Sequence, residues 1–81
     1  MKAMMTIIDV RTPDEFSMGN VTGSINIPLH KIHFRLEEIK QMQQPVVLCC
    51  ASGSRSSQAA TLLRSKGILC ENGGCWYNLQ K

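Results

Sequence analysis

Long apolar runs, blocks of like charge and repeated segments are all missing from this 81-residue chain. No stretch approaches the roughly 20 apolar residues that a helix needs to cross a bilayer, so no membrane contact is expected. The opening MKAMMTIIDV carries one Lys and meets Asp9 before an apolar core of signal-peptide length develops. No targeting peptide is read there, and a cytoplasmic protein is expected. The nine Lys and Arg are scattered from Lys2 to Lys81, with a net charge of only +3. That spread forms no stripe able to track a phosphate backbone, so no nucleic-acid partner is expected. A mildly positive surface does suit a small anionic substrate. No linker or low-complexity tract interrupts the chain, and the length predicts one small domain over residues 1–81. Its core must be modest.

A disulfide framework is also unexpected. The cysteines are Cys49, Cys50, Cys70 and Cys75, two of them adjacent, with no secretory signal. Reduced thiols are expected, each serving as core filler, ligand or nucleophile. Together with His30 and His33 the cysteines match no usual zinc spacing, so no metal and no organic cofactor are expected.

What is present reads as alternating strands and helices. Thr6–Val10 is a short apolar strand ending near Asp9. Thr12, Pro13 and Glu15 then fall at N-cap, N1 and N3 of a short helix that should stop near Gly19. GSINIP is a second strand, closed by Pro28. From His30 to Gln43, Ile32, Leu36, Ile39 and Met42 recur at helical spacing. PVVLC, ending at Cys49, is apolar throughout, as a strand covered on both faces would be. Ser56–Lys66 is expected as an amphipathic helix with Ala59, Leu62 and Leu63 inward, stopped at Gly67. ILCE is a last strand; NGG should turn into a helical stub near Trp76 to Leu79. This order predicts an α/β fold, a short parallel sheet with helices on both faces.

In such a sheet ligands sit beyond the carboxyl ends of the strands. The strand ending at Cys49 delivers CCASGSR there, just before a helix. Inward-curled amides and the positive end of a helix dipole would form an anion nest and depress a thiol's pKa. Two frames compete: five residues separate Cys49 from Arg55, and four separate Cys50 from it. Cys49 continues the apolar strand and reads as core. Cys50 reads as the first loop residue, able to point into the nest, with Gly53 supplying a turn that a side chain would obstruct. Arg55 offers a fork of donors for an oxyanion or for a carboxylate that braces the loop. Asp9 and Arg11 follow a buried strand near the same end of the sheet, where a salt bridge would anchor the turn; for Arg11, positioning of the loop or its rim is equally open. Glu15 reads as a helix cap, and Trp76 as a packing residue.

At these residues the chain resembles the rhodanese-like sulfurtransferases. CASGSRS followed by AATLL matches their C-x-x-G-x-R-S loop and helix, and IIDVRTPDEF, GSINIP and GGCW match three further signatures in order. The resemblance runs from Ile7 to Trp76. It implies a rhodanese fold and a catalytic cysteine that carries sulfane sulfur as a persulfide. Carried over, that cysteine is Cys50, with Ala51, Ser52, Gly53, Ser54 and Arg55 as the anion-binding loop and Asp9 and Arg11 in support. The implied partners are a small anionic sulfur donor, such as thiosulfate, and a thiol or protein sulfur acceptor. The helix and strand that many members place before the DVR strand are missing here; the open sheet edge fits a monomer or weak dimer. Gly19, Asn20 and Val21 stand where the family often has Gly-His-Ile. Two other classes remain open: a phosphatase or arsenate reductase using Cys49, and a non-catalytic or partner-specific sulfur-carrier module.

Overall fold

The computed structural model describes residues 5–79. Four parallel strands form its single sheet in the order β2-β1-β3-β4: β1 is Thr6–Asp9, β2 Ile25–Asn26, β3 Val46–Cys50 and β4 Cys70–Cys75. The connections carry α1 (Pro13–Ser17), a 3-10 helix (Leu29–Phe34), α2 (Leu36–Lys40) and α3 (Ser54–Ser65), and a second 3-10 helix spans Trp76–Leu79. This is the expected α/β parallel sheet. Among the described residues no helix is long and apolar enough to cross a membrane.

Strand periodicity sorts the two faces. Ile8, Val46, Leu48, Cys50 and Cys70 pack with Ala59, Ala60 and Leu63 of α3 and with Ile32 and Ile39 in the main core. Val47 and Cys49 alternate onto the other face. There Val47 lies beside Gly73 and Leu79, so the terminal 3-10 helix covers that side. Ala60, not foreseen as inward, is fully buried, while Leu62 is only partly buried.

Thr12 caps α1 as expected. Its hydroxyl accepts from the Glu15 amide at 3.2 Å, and the Glu15 carboxylate accepts from the Thr12 amide at 2.9 Å. Four expected boundaries are corrected. The continuous helix over His30–Gln43 is instead a 3-10 turn and a separate short helix, broken at Arg35 (φ −121°, ψ 24°). Ile32-His33-Phe34 is a run of weak helix formers, and the stronger LEEIK restarts the helix. Helix α3 starts at Ser54 rather than Ser56, because Gly53 turns the chain at φ +104°. β3 runs through Cys50 rather than stopping at Cys49.

The last strand begins at Cys70 and absorbs NGG instead of turning there. Its register slips between Leu48↔Asn72 and Cys49↔Gly74, leaving Gly73 as the extra residue of a bulge. A Cβ on Gly73 would lie 2.8 Å from Val47 Cγ1 and 3.1 Å from the Leu48 carbonyl oxygen, which is why glycine stands there. Periodicity alone could not distinguish a bulged strand from a turn.

Candidate active site

The carboxyl end of β3 hands the chain to Ala51, Ser52 and Gly53 and then directly to α3. Cys50 is therefore the last strand residue rather than the first loop residue, and it is fully buried. Its sulfur nevertheless meets the loop. The Gly53 amide donates to Cys50 Sγ at 2.9 Å and the Ser56 amide at 3.4 Å, and the Ser56 hydroxyl lies 3.4 Å away. The left-handed backbone of Gly53 directs its amide onto the sulfur, no side chain caps α3, and of the first-turn amides that of Ser56 meets the thiol. The strand period puts Cys50 on the α3 face; the loop then folds back over it.

These contacts oppose burial. Burial pushes the Cys50 thiol up, but the Ser56 hydroxyl and the amides of Ser56, Gly53 and Ser52 outweigh it and hold the pKa down at about 7. Its neighbour behaves in the opposite way. Burial first, and then the Asp9 carboxylate, push Cys49 up to about 12. Cys49 is fully buried, and it makes none of the amide contacts that Cys50 makes. Two adjacent thiols are thus driven in opposite directions, one lowered by donors at a helix terminus and the other raised by burial and then by a carboxylate.

Ala51, Ser52 and Ser54 form the exposed rim, with the Ser52 and Ser54 hydroxyls 3.5 Å apart. Arg55 does not turn toward the sulfur. Its Nη1 and Nη2 donate to the two carboxylate oxygens of Glu15 at 2.7 and 3.0 Å. Of the two roles foreseen, the brace is the one observed. Asp9 and Arg11 stand further back. Asp9 is fully buried and accepts from Arg11 Nε at 2.9 and 3.0 Å and from Nη2 at 2.7 Å. Arg11 also donates to the carbonyls of Glu15 and Gly19, and its guanidinium lies 4.5 Å from the Trp76 ring centroid. Trp76 in turn packs so closely on Gly19 that a Cβ there would sit 2.9 Å from its ring. This pair clamps the end of α1 to the terminal 3-10 helix; neither residue contacts Cys50 Sγ.

Three residues of the site do more than the sequence predicts. Ser56 belongs to the loop motif, but the motif gives its hydroxyl no role. Glu15 reads as a cap, yet one carboxylate serves both Thr12 and Arg55. Asn72 reads as a turn residue. Strand register instead sets it opposite Leu48, on the α3 face. Among the described residues no group of three or more His, Cys, Asp and Glu is gathered as a metal site.

Comparison with known proteins agrees with this fold. A family model described as "Rhodanese-like domain" matches residues 1–78. The chain is 44% identical over 61 residues to the uncharacterized protein YqhL of Bacillus subtilis, covering 75% of this chain and 48% of that protein. It is 38% identical over 61 residues to a sulfurtransferase of Allochromatium vinosum, covering 75% and 56%. The chain thus spans about half the length of these curated relatives. Among solved structures, one described as "rhodanese with anions from E. coli" superposes with a TM-score of 0.83 at 31% identity, over 93% of this chain and 91% of the other.

Proposed function

The chain belongs to the rhodanese-like domain family, and we propose that it is a sulfurtransferase whose Cys50 carries sulfane sulfur as a persulfide. The observation that carries this reading is the contact of two main-chain amides, from Gly53 and Ser56, with Cys50 Sγ at the start of a 12-residue helix. A thiol near pKa 7 is substantially ionised at neutral pH. The thiolate attacks the outer sulfur of a small anionic donor such as thiosulfate. The new S–S bond forms as the donor's own S–S bond breaks, and sulfite leaves with the electron pair. An acceptor nucleophile, cyanide or a cellular thiol, then takes the outer sulfur and returns the Cys50 thiolate. The loop amides stabilise the anionic sulfur in both half-reactions. No metal or organic cofactor enters this scheme, and residues 1–81 are read as one catalytic domain.

Cys50 has no solvent exposure, so the donor must reach its sulfur through the exposed rim at Ala51, Ser52 and Ser54. That enclosure favours a second reading, a carrier loaded by one protein partner that opens the rim. Use of Cys49 for phosphoryl or arsenate chemistry is disfavoured, because its thiol is pushed up to about 12. Initial rates of thiocyanate formation test the reading. Parallel double-reciprocal lines against thiosulfate and cyanide are expected, and they should vanish with Cys50→Ser. Intersecting lines, or turnover that survives Cys50→Ser, would overturn it. Turnover only with a protein donor would leave the carrier.

A further inference from the structure

The Ser56 hydroxyl is fully buried beside the sulfur and has more neighbours than protons. Asn72 Oδ1 lies 2.6 Å from it, the Gly53 carbonyl oxygen 3.2 Å, and Cys50 Sγ 3.4 Å. A hydroxyl has one proton to give. Two of the three neighbours can only accept. The orientation of the Asn72 amide is fixed by its own partners: Oδ1 accepts from the Gly74 amide at 3.0 Å, and Nδ2 donates to the Gly53 carbonyl at 3.1 Å. The shortest contact therefore takes the Ser56 proton, and a Ser56 lone pair faces Cys50.

We propose that Asn72 is a positioning residue for the sulfur centre: its side-chain carbonyl holds the Ser56 proton off Cys50 while the thiol is protonated, and yields that proton to the sulfur when the sulfur is anionic. While Cys50 is protonated, its S–H donates to Ser56 Oγ. When the thiol proton leaves to solvent, rotation about the Ser56 C–O bond turns its O–H onto Sγ. No bond to hydrogen in Ser56 breaks. Asn72 Oδ1 keeps the Gly74 amide as donor throughout, so the rotation leaves no acceptor unserved. Asn72 is exposed, and water can also reach it. Its amide thus competes with the thiolate for one hydrogen bond and sets how easily the thiolate forms. An aspartate at this position would compete harder and add like charge.

The other charged and titratable groups around Cys50 act at longer range. Cys49 precedes it on β3, Asp9 ends β1 with Arg11 just beyond it, Cys75 is its register partner on β4, and Arg55 on α3 is paired with Glu15 of α1. None of them donates to or accepts from Cys50 Sγ among the described hydrogen bonds.

The functional consequence rests on the persulfide reading, but the test does not. Cysteine labelled with ¹³C at Cβ reports the ionisation of Cys50 by NMR with no sulfur donor present, the signal being assigned with Cys50→Ser. Asn72→Ala should lower the Cys50 midpoint by about half a pH unit, because the nearest competitor for the Ser56 proton is gone and only the more distant Gly53 carbonyl at 3.2 Å still competes with the thiolate. Asn72→Asp should raise it. In a Ser56→Ala background the effect of Asn72→Ala should disappear. If Asn72 only braces the loop, both variants displace the amides and both raise the midpoint; that result overturns the proposal. So does an unmoved midpoint in Asn72→Ala, or a shift of equal size without the Ser56 hydroxyl. A wild-type protein that titrates as described yet never takes up sulfur would refute the sulfurtransferase reading and leave the Asn72 assignment standing.

Discussion

Replacing Glu15 with Gln separates the two tasks of one carboxylate. Gln still completes a capping box with Thr12, so α1 keeps its start. What is lost is the charge that holds Arg55 by two hydrogen bonds at 2.7 and 3.0 Å. The side chains are 31% and 38% exposed, so solvent screens the pair, and about 0.5–1 kcal/mol is the appropriate scale. For a domain of this size that corresponds to a Tm lower by roughly 2–8 °C. The pH dependence fixes the cause. Arg55 first, then the Thr12 amide, hold the Glu15 carboxyl at about 2 against an ordinary 4.5. Its folded-state pKa is depressed, so the stabilisation is complete above about 4.5 and is lost as pH falls toward 2. Urea unfolding of wild type, Glu15→Gln, Arg55→Ala and the double variant should show the coupling in full at neutral pH and a shrinking difference below about pH 4.5. A coupling near zero at neutral pH, or a difference that does not change on acidification, would refute the view that this pair ties the sulfur loop to α1.

Other outcomes follow from the same geometry. The rate of persulfide formation should rise with pH through about 7 and level off above it, since thiolate is the reacting form; a midpoint near that of an ordinary thiol would show that the amides do not act on Cys50. Gly73→Ala should cost about 1–3 kcal/mol in denaturant unfolding, because the added Cβ meets Val47 Cγ1 at 2.8 Å and the Leu48 carbonyl at 3.1 Å; unchanged stability would mean that the bulge gives way easily. Gly53→Ala must adopt φ +104° against the preference of an L residue, so stability should fall by about 1–2 kcal/mol and sulfur loading should slow as the Gly53 amide leaves Sγ; normal loading kinetics would discount that amide.

Much of the architecture was legible because local chemistry spelled it out. Thr12-Pro13-Asp14-Glu15 could be read as a helix start from its capping side chains alone, and the apolar run Val46–Leu48 as a buried strand from composition alone. The sequence also separated Cys49 from Cys50, although by a partly mistaken route. Cys50 is not free of the strand; it is buried on the α3 face, and its sulfur meets the amides because the loop folds back over it. What was not legible depends on contacts between distant segments. Arg55 finds Glu15 forty residues away in sequence, and Asn72 reaches Ser56 because β4 pairs with β3 and sets Asn72 opposite Leu48, just before the register slips at Gly73. Spacing along the chain carries no record of either. The split at Arg35 was missed for a different reason: residues 32, 36 and 39 keep helical spacing across a break that leaves both Ile32 and Ile39 facing the core.

On the proposed function, the main-chain amides of Gly53 and Ser56 stabilise an anionic sulfur on Cys50. Intact-mass spectrometry of the protein after incubation with thiosulfate tests it most directly, on wild type, Cys50→Ser and Cys49→Ser side by side. A gain of one sulfur atom in wild type and in Cys49→Ser, absent from Cys50→Ser, is the expected result. Sulfur retained by Cys50→Ser but lost from Cys49→Ser would contradict the account.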